Sequence, residues 1–402
     1  MLQPLQGIRV LEWAIYHAGP GGPAILGDLG AEVIKIEQIK VGDPLRPRFQ
    51  FGETHFAFHG KNLFFEGANR NKKSITLDLT KDEGRAVAYR LAAKSDVFLS
   101  NIRNVTIDKM KMGYPIIREH NPEIIYAHIS AFGPYGPDSG LGGFDFQGQA
   151  RSGMMFTMGE PDMPPLLILF GVVDQVTAIM ASHAVLSALV MKERTGVGQK
   201  VDVSLLGSAI ALQYFNAMIG ALTDEPFRHK RTDTDPLRNY YQCKGGDWIS
   251  FTLPSFVEEL WIEFCEAIER PDLENDDRFS STGQRLVNAA ILIPMLDEIF
   301  STKTREEWHD ILTRHGLLSS PVNTPSELKD DPQITENDYI TQFDHPVFGK
   351  VPFPGYPVHF SEASAGPQTA APELGEHTDE VLREIGGYSD SEIKELREKE
   401  II

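Results

Sequence analysis

The apolar positions of the chain alternate between two rhythms. Short, nearly continuous apolar runs read as buried strands: GIRVLEWA (7–14), AEVIKIE, SITLDL (74–79), DVFLSN and IIYAHISAF. Between them lie segments with apolar residues three or four apart, such as KDEGRAVAYRLAAKS, which has an acidic first turn and reads as an amphipathic helix, and DKMKMGYPIIREHNP. AGPGGPAILGD reads as a Gly/Pro-rich turn followed by a short helix ending near Gly30. Strands alternating with helices over about 130 residues predict a parallel sheet covered by helices.

Further along, a Gly-rich stretch (132–153) reads as a long surface loop running into a helix. LLILFGVV (166–173) reads as an apolar strand that delivers Asp174 to a long helix, and KVDVSLL as a further strand. RHKRTDTDPLRN is a polar break, taken as a linker or lid. YYQCKGGDWISFTL predicts a β-hairpin turning at Gly245–Gly246, followed by helices to about residue 317. The expected organisation is α/β. Residues 1–220 form the N-terminal part of a large Rossmann-like domain with a parallel sheet, 221–330 a smaller α+β domain, and 331–402 a return to the large domain with C-terminal helices.

Composition narrows the function. A net charge of −19 argues against sequence-independent binding to nucleic acid or to an anionic membrane surface. Two cysteines without metal-like spacing fit a reducing compartment. The N-terminus lacks the signal-peptide pattern, and no apolar run reaches the roughly 18 residues of a membrane span, so a cytoplasmic protein is expected.

Several chemistries are disfavoured. AGPGGPA does not match G-x-G-x-x-G, which argues against a nicotinamide cofactor. It is either a tight turn before a helix or a ligand loop at the carboxyl end of a strand. The twelve histidines show no H-E-x-x-H spacing, and no metal site is read from the sequence. There is no G-x-S-x-G elbow and no P-loop. Lys35, Arg46, Arg48, Arg70, Lys72, Lys73, Arg103 and Lys109 lie near strand ends. They are either simply solvated or form a patch that holds phosphates. Asp174 is either a helix N-cap or a nucleophile. The two are compatible, because helix-end amides would keep the carboxylate ionised in an apolar pocket.

Six ordered motifs decide between these readings. MLQPLQGIRVLEWAIYHAGPGGPAILGDLGAEVIKIE, ANRNKKSITLDL, GFDFQGQARSG, FGVVDQVTAIMA, ERTGVGQKVDVSLL and LGEHTDEVL together resemble the family III CoA-transferases, the formyl-CoA and carnitine-CoA transferase group. The resemblance covers nearly the whole chain and is weakest between about 220 and 330. It implies a two-domain subunit, two of which interlock, and a catalytic aspartate at Asp174 that carries an aspartyl-CoA thioester. It implies a coenzyme A thioester as substrate and no permanently bound cofactor. By position it places Tyr16, His17, Ala18, Asn101, Ile102, Arg103 and Lys109 at the CoA site, with Arg46 and Leu77 as weaker carry-overs. The expected partners are an acyl-CoA and a carboxylic acid. The expected assembly is a homodimer, with a heteromer containing a paralogue as the alternative.

Departures from the family pattern limit the reading. Formyl-CoA transferase has glutamine at the His17 position and arginine at the Gln38 position, and a glycine run is absent from RTDTDPLRN. The formyl/oxalate substrate pair is therefore not transferred. The Met- and Phe-bearing stretch around 140–170 points to a bulky acid, aromatic or a substituted dicarboxylate, with succinyl-CoA as donor, closer to the phenyllactate and benzylsuccinate CoA-transferases. Two alternatives stand beside this expectation. One is an α-methylacyl-CoA racemase-type enzyme, disfavoured because Phe144 stands where that enzyme has an acid/base histidine. The other is a CoA-binding partner subunit of a heteromeric transferase.

Overall fold

Six parallel strands form the central sheet: β1 (Arg9–Trp13), β2 (Glu32–Glu37), β3 (Lys72–Thr76), β4 (Val97–Ser100), β5 (Ile125–Ser130) and β6 (Lys200–Ser204). Their spatial order is 6-5-4-1-2-3, the doubly wound arrangement in which the chain reverses direction between β1 and β4. A computed structural model describes the chain except residues 1, 48–49, 52–53, 225–226 and 255–256. The chain folds into two compact units: residues 1–155, 167–223 and 335–402, and residues 156–166 and 224–334. Residues 156–166 thus belong to the second unit, not to the large domain expected over 1–220.

Strand residues alternate between two buried cores, as a sheet covered on both faces requires. Val10, Val33, Leu99 and Ala127 face a core shared with helices α1 (Ala18–Asp28) and, further on, Val172–Thr195. Leu11, Ile34, Phe98 and Tyr126 face a second core. It is covered by α2 (Asp82–Ala92), α4 (Tyr114–His120) and the terminal helices Thr378–Glu384 and Asp390–Glu398; the short helix α3 (Asn104–Lys109) lies between α2 and α4 in the chain. The C-terminal segment is tied to the edge strand β3, where the His377 N–H donates to Ser74 O and the Thr76 N–H to Thr378 Oγ1.

Two sequence expectations change here. AGPGGPA is not a turn but the first two turns of α1. Proline in the first turn lacks only a donor the helix does not need, while Pro23 removes one helix bond. Close packing offsets that loss: a Cβ on Gly21 would lie 2.8 Å from Ala178 Cβ, so glycine is what lets α1 approach the Ala178 helix. DKMKMGYPIIREHNP forms two helices, α3 and α4, with a break before Tyr114–Pro115.

After α5 (Asp145–Arg151) comes α6 (Val172–Thr195), 24 residues long. By length and composition α6 is apolar enough to cross a membrane, contrary to the sequence reading. Yet Val173, Thr177, Ala178, Ala181, Val185 and Ala188 bury one face of it in the core with α1 and the sheet. Helices α7 (Leu205–Leu212) and α8 (Tyr214–Leu222) follow β6, and no residue of α8 is buried.

In the second unit, β7 (Arg238–Gln242) and β8 (Trp248–Thr252) form the expected antiparallel hairpin, and β9 (Ser319–Pro321) extends the sheet. Its core is aromatic, with Tyr241, Phe251, Phe264, Phe300 and Trp308 packed together. RTDTDPLRN is built into this unit rather than forming a free linker. Arg231 binds both carboxylate oxygens of Asp297, at 2.9 and 2.8 Å, and donates to Tyr240 O.

Candidate active site

Strands β1, β4 and β5 are parallel, so the loops leaving their carboxyl ends meet at one edge of the sheet. Because β1 and β4 send their connections in opposite directions, those loops part and leave a crevice. The crevice is a cleft of about 690 Å³. Ile15 and Tyr16 reach it from β1, Asn101 and Arg103 from β4, and Ser130 from β5. The glycine-bearing segment 139–143 and Asp174 of α6 complete the wall.

The β1 loop has an unusual backbone. Tyr16 has φ of 64°, the left-handed region that disfavours a bulky side chain. Asn101 holds the preceding residue at both ends. Ile15 N–H donates to Asn101 Oδ1 at 2.9 Å, and Asn101 Nδ2 donates to Ile15 O at 2.8 Å. The turn sets the exposed Tyr16 ring edge-on to Phe144, with centroids 5.4 Å apart.

Asp174 sits in the first turn of α6, and the Ncap position belongs to Gly171, a left-handed residue with φ of 78°. The expected strand before it does not form. Residues 166–170 are irregular, and Gln149 bonds part of their backbone: Ile168 N–H donates to Gln149 Oε1 and Gln149 Nε2 donates to Leu169 O. A helix start leaves its first N–H groups without partners. Asp145, the first residue of α5, supplies the acceptor. Its buried Oδ1 accepts from Val173 N at 2.7 Å and from Asp174 N at 3.2 Å, while Oδ2 accepts from Gln149 Nε2 at 2.6 Å.

This capping from a distant segment reverses an expectation. The helix-end amides serve Asp145, not the carboxylate of Asp174. Burial, and then the negative charge of Asp145, push the Asp174 pKa up to about 7. The site therefore holds a carboxylate far more basic than ordinary, adjoining the cleft. His17 lies on the other side of the loop, its Nε2 3.0 Å from Gln175 Oε1 and its ring 6.0 Å from Phe64. Burial holds its pKa below the ordinary histidine value, against the hydrogen bond to Gln175, so the ring is neutral at pH 7. His17 Nδ1 is buried without a hydrogen-bond partner among the described residues.

The structure thus brings Tyr16, Ala18, Asn101, Ile102, Arg103 and Asp174 around one cleft. Others lie elsewhere. Leu77 is buried in the second core. The Arg46 guanidinium is bonded to Glu37, with the closest approach 2.6 Å, and packs over the Phe65 ring. Lys109 is exposed at the end of α3 and is not among the cleft residues.

Among the described residues of the expected phosphate patch, only Arg103 lines the cleft. Lys35 and Lys72 are buried with Glu12. Arg70 is paired with Asp28, and Lys73 with Glu32 and Glu380. A charge taken out of water requires a partner, so these cations are committed to carboxylates. Arg48 lies outside the described residues.

Sequence reasoning passed over His128, Ser130 and Gln147, which also line the cleft. His128 Nε2 lies 3.0 Å from Ile102 O and thereby braces the loop after β4. Its place at the end of the β5 apolar run was the available signal. Among the described residues one exposed group, Glu263, Glu266 and His315, brings three possible metal ligands together. It belongs to the second unit.

An open α/β fold with a cleft at its switch point and a basic carboxylate beside it defines a class of ligand-transforming enzyme. Comparison with known proteins specifies the family. The family model "CoA-transferase family III" matches residues 5–378, and the chain belongs to that family. It is similar to succinyl-CoA:glutarate CoA-transferase of Homo sapiens, with 29% identity over 98% of this chain and 89% of the human protein. It is also similar to succinyl-CoA:mesaconate CoA-transferase of Haloarcula hispanica, with 32% identity over 95% of this chain and 96% of that protein. Among solved structures, a CAIB/BAIF family protein from Brucella suis superposes with a TM-score of 0.84 at 29% identity, covering 96% of this chain and 100% of that one. The protein is a family III CoA-transferase.

Proposed function

We propose that the enzyme moves CoA from succinyl-CoA to an organic carboxylic acid through a thioester on Asp174. The observation that carries this reading is a carboxylate with a pKa of about 7 lining the cleft between the Tyr16 loop and Asp145. The donors named for the human and Haloarcula relatives support succinyl-CoA.

The steps follow from carboxylate chemistry. Ionised Asp174 attacks the thioester carbonyl, the C–S bond breaks, and a mixed anhydride and CoA thiolate result. The thiolate attacks the Asp174 carbonyl carbon, the anhydride C–O bond breaks, and the donor acid leaves as its carboxylate. The acceptor carboxylate then attacks the aspartyl-CoA thioester, giving a second anhydride and thiolate. The thiolate takes the acceptor acyl group and regenerates Asp174. No net proton or electron is consumed. Dividing one transfer into carboxylate–thiolate exchanges lowers each barrier. Tyr16, Ala18, Asn101, Ile102 and Arg103 hold the CoA, with the Arg103 guanidinium available to a phosphate.

The acceptor in this reading is a bulky acid, aromatic or a substituted dicarboxylate. Phe56, Phe64, Phe146 and Phe170 form a contiguous cluster beside His17 and Gln175, the neighbour of the nucleophile. The assembly we propose is a homodimer. Its support is α8, where Tyr214, Phe215, Met218 and Leu222 are all exposed.

Mass spectrometry after incubation with succinyl-CoA and then hydroxylamine tests the mechanism, with modification expected on the Asp174 peptide alone. Full transfer activity in Asp174→Ala would overturn it. A panel of carboxylic acids defines the acceptor, and light scattering the assembly.

A further inference from the structure

Four charged side chains are buried together beneath the loop that walls the cleft. Glu12, Lys35 and Asp43 are each at most 1% exposed, and Lys72 is 4% exposed. Lys35 Nζ lies 2.9 Å from Glu12 Oε1 and 3.0 Å from Asp43 Oδ2, and it donates to Ala14 O at 2.8 Å. Lys72 Nζ binds the other oxygen, Glu12 Oε2, at 2.6 Å and donates to Pro20 O at 2.7 Å. Ala14 and Pro20 bracket the segment that carries Tyr16 and His17, so the two ammonium groups pin both of its ends.

Stability alone is a poor reason for such a cluster. Well-packed apolar residues commonly replace buried ion pairs without loss. The geometry supplies another reason. The second oxygen of Asp43 is turned toward the loop, where Oδ1 accepts from Tyr16 N at 3.2 Å and from Leu45 N at 2.9 Å. Tyr16 is the left-handed residue of this loop. A side chain in that region is disfavoured by about tenfold relative to the right-handed alternatives, so the turn depends on bonds that hold it.

We propose that Asp43 is a positioning residue for acyl-CoA binding: anchored by Lys35, it holds the Tyr16 N–H and so fixes the left-handed turn that shapes the CoA wall. Asp43 is not among the residues lining the cleft and acts through Tyr16. The inference rests on the reading of this cleft as the CoA site.

Calorimetric titration of the full-length chain with free coenzyme A tests it. Asp43→Ala is expected to weaken CoA binding by about tenfold, the population lost when the turn is untethered. Asp43→Asn keeps an oxygen for both N–H groups and restores most of the affinity. Glycine adopts the left-handed turn without a tether. In a Tyr16→Gly background, Asp43→Ala should therefore change affinity by less than about twofold. Thermal melting of each variant accompanies the titrations. If Asp43→Ala does not fold, the cycle is run with Asp43→Ser, and the same coupling decides. Equal losses in both backgrounds, or no loss in either, overturn the inference, because a purely structural role gives no coupling to Tyr16. Absence of CoA binding to the unmodified chain overturns the functional reading, and this inference with it.

Discussion

Replacing Asp174 by asparagine is expected to make the protein more stable, and only above a certain pH. The Asp174 pKa is raised from 3.8 to about 7 by burial and by Asp145. In the unfolded chain the carboxyl ionises near its ordinary value, while in the folded chain it holds its proton to about pH 7. The folded state therefore binds more protons between those values, and stability falls as pH rises through that window. Below pH 4 the group is neutral in both states and contributes nothing. Above pH 7 it is ionised in both, and the full difference is felt, about 4 kcal/mol at 1.36 kcal/mol per pH unit. That figure is a ceiling, because Asp174 borders an open cleft and water screens part of its charge. Asparagine has nearly the same shape and no charge to desolvate. At roughly 2 °C per kcal/mol for a chain of this size, Asp174→Asn should melt several degrees above the parent at pH 8.5 and level with it at pH 4. Differential scanning calorimetry of the ligand-free pair across that range is the assay. Every other carboxylate is common to both proteins and cancels in the difference. A melting difference independent of pH would refute the reasoning, because it would mean that Asp174 is not held at a raised pKa by the fold.

Three further outcomes follow from the same geometry. With succinyl-CoA held below saturation, kcat/KM should rise with pH to a plateau above about pH 7, as Asp174 ionises in the free enzyme, and Asp145→Asn should move that limb to lower pH. An unmoved limb would show that Asp145 does not act on the nucleophile. Arg103→Ala should raise the KM for acyl-CoA by about tenfold and weaken its salt dependence, as loss of one phosphate contact does. Lys109→Ala should change it less than about twofold, and equal effects in steady-state assays would contradict the placement of Arg103 alone at the cleft. Gly19→Ala should weaken binding of coenzyme A in a titration without touching Asp174. The added Cβ would lie 2.5 Å from Asn101 Cγ and displace the side chain that braces Ile15. Unchanged affinity would show that the Asn101 brace is dispensable.

Much of the fold is legible in the sequence because parallel strands buried on both faces must be apolar throughout. β1, β2, β4 and β5 all fall within the runs that the pattern marks, and the edge strand β6, none of whose residues is buried, falls within KVDVSLL. What stayed hidden depends on partners far along the chain. LLILFGVV has the composition of a strand, but its last two residues begin α6, and the side chain of Gln149 takes up the Ile168 N–H and the Leu169 carbonyl in place of a neighbouring strand. AGPGGPA has the composition of a turn, but it becomes helix because its glycines admit Ala178 and Ala181 of α6. Most of the cations near strand ends resemble a phosphate patch only while their carboxylates, such as Glu12, Glu37 and Asp28, are read as separate residues. Arg103 and Asp174 were candidates from position alone, but that they share one cleft with Tyr16, Asn101 and Ile102 was reachable only through the family resemblance, since no spacing along the chain joins three strand ends.

The pairing of Asp174 with Asp145 was invisible for the same reason, and it has a chemical consequence. An N-terminal turn of a helix ordinarily favours a negative charge through its free N–H groups. Had Asp174 taken those groups itself, its pKa would have fallen and its oxygen would have become a weaker nucleophile. With Asp145 occupying them from α5, the helix end is satisfied, and burial, with repulsion from Asp145 added to it, raises the basicity of Asp174 instead. At a pKa of about 7 the group is still half ionised at neutral pH, so only about twofold is lost in reactive population. Each pH unit gained in basicity strengthens attack on the thioester. Assigning the cap to a second acid therefore lets the helix start stabilise the fold while the nucleophile beside it stays reactive.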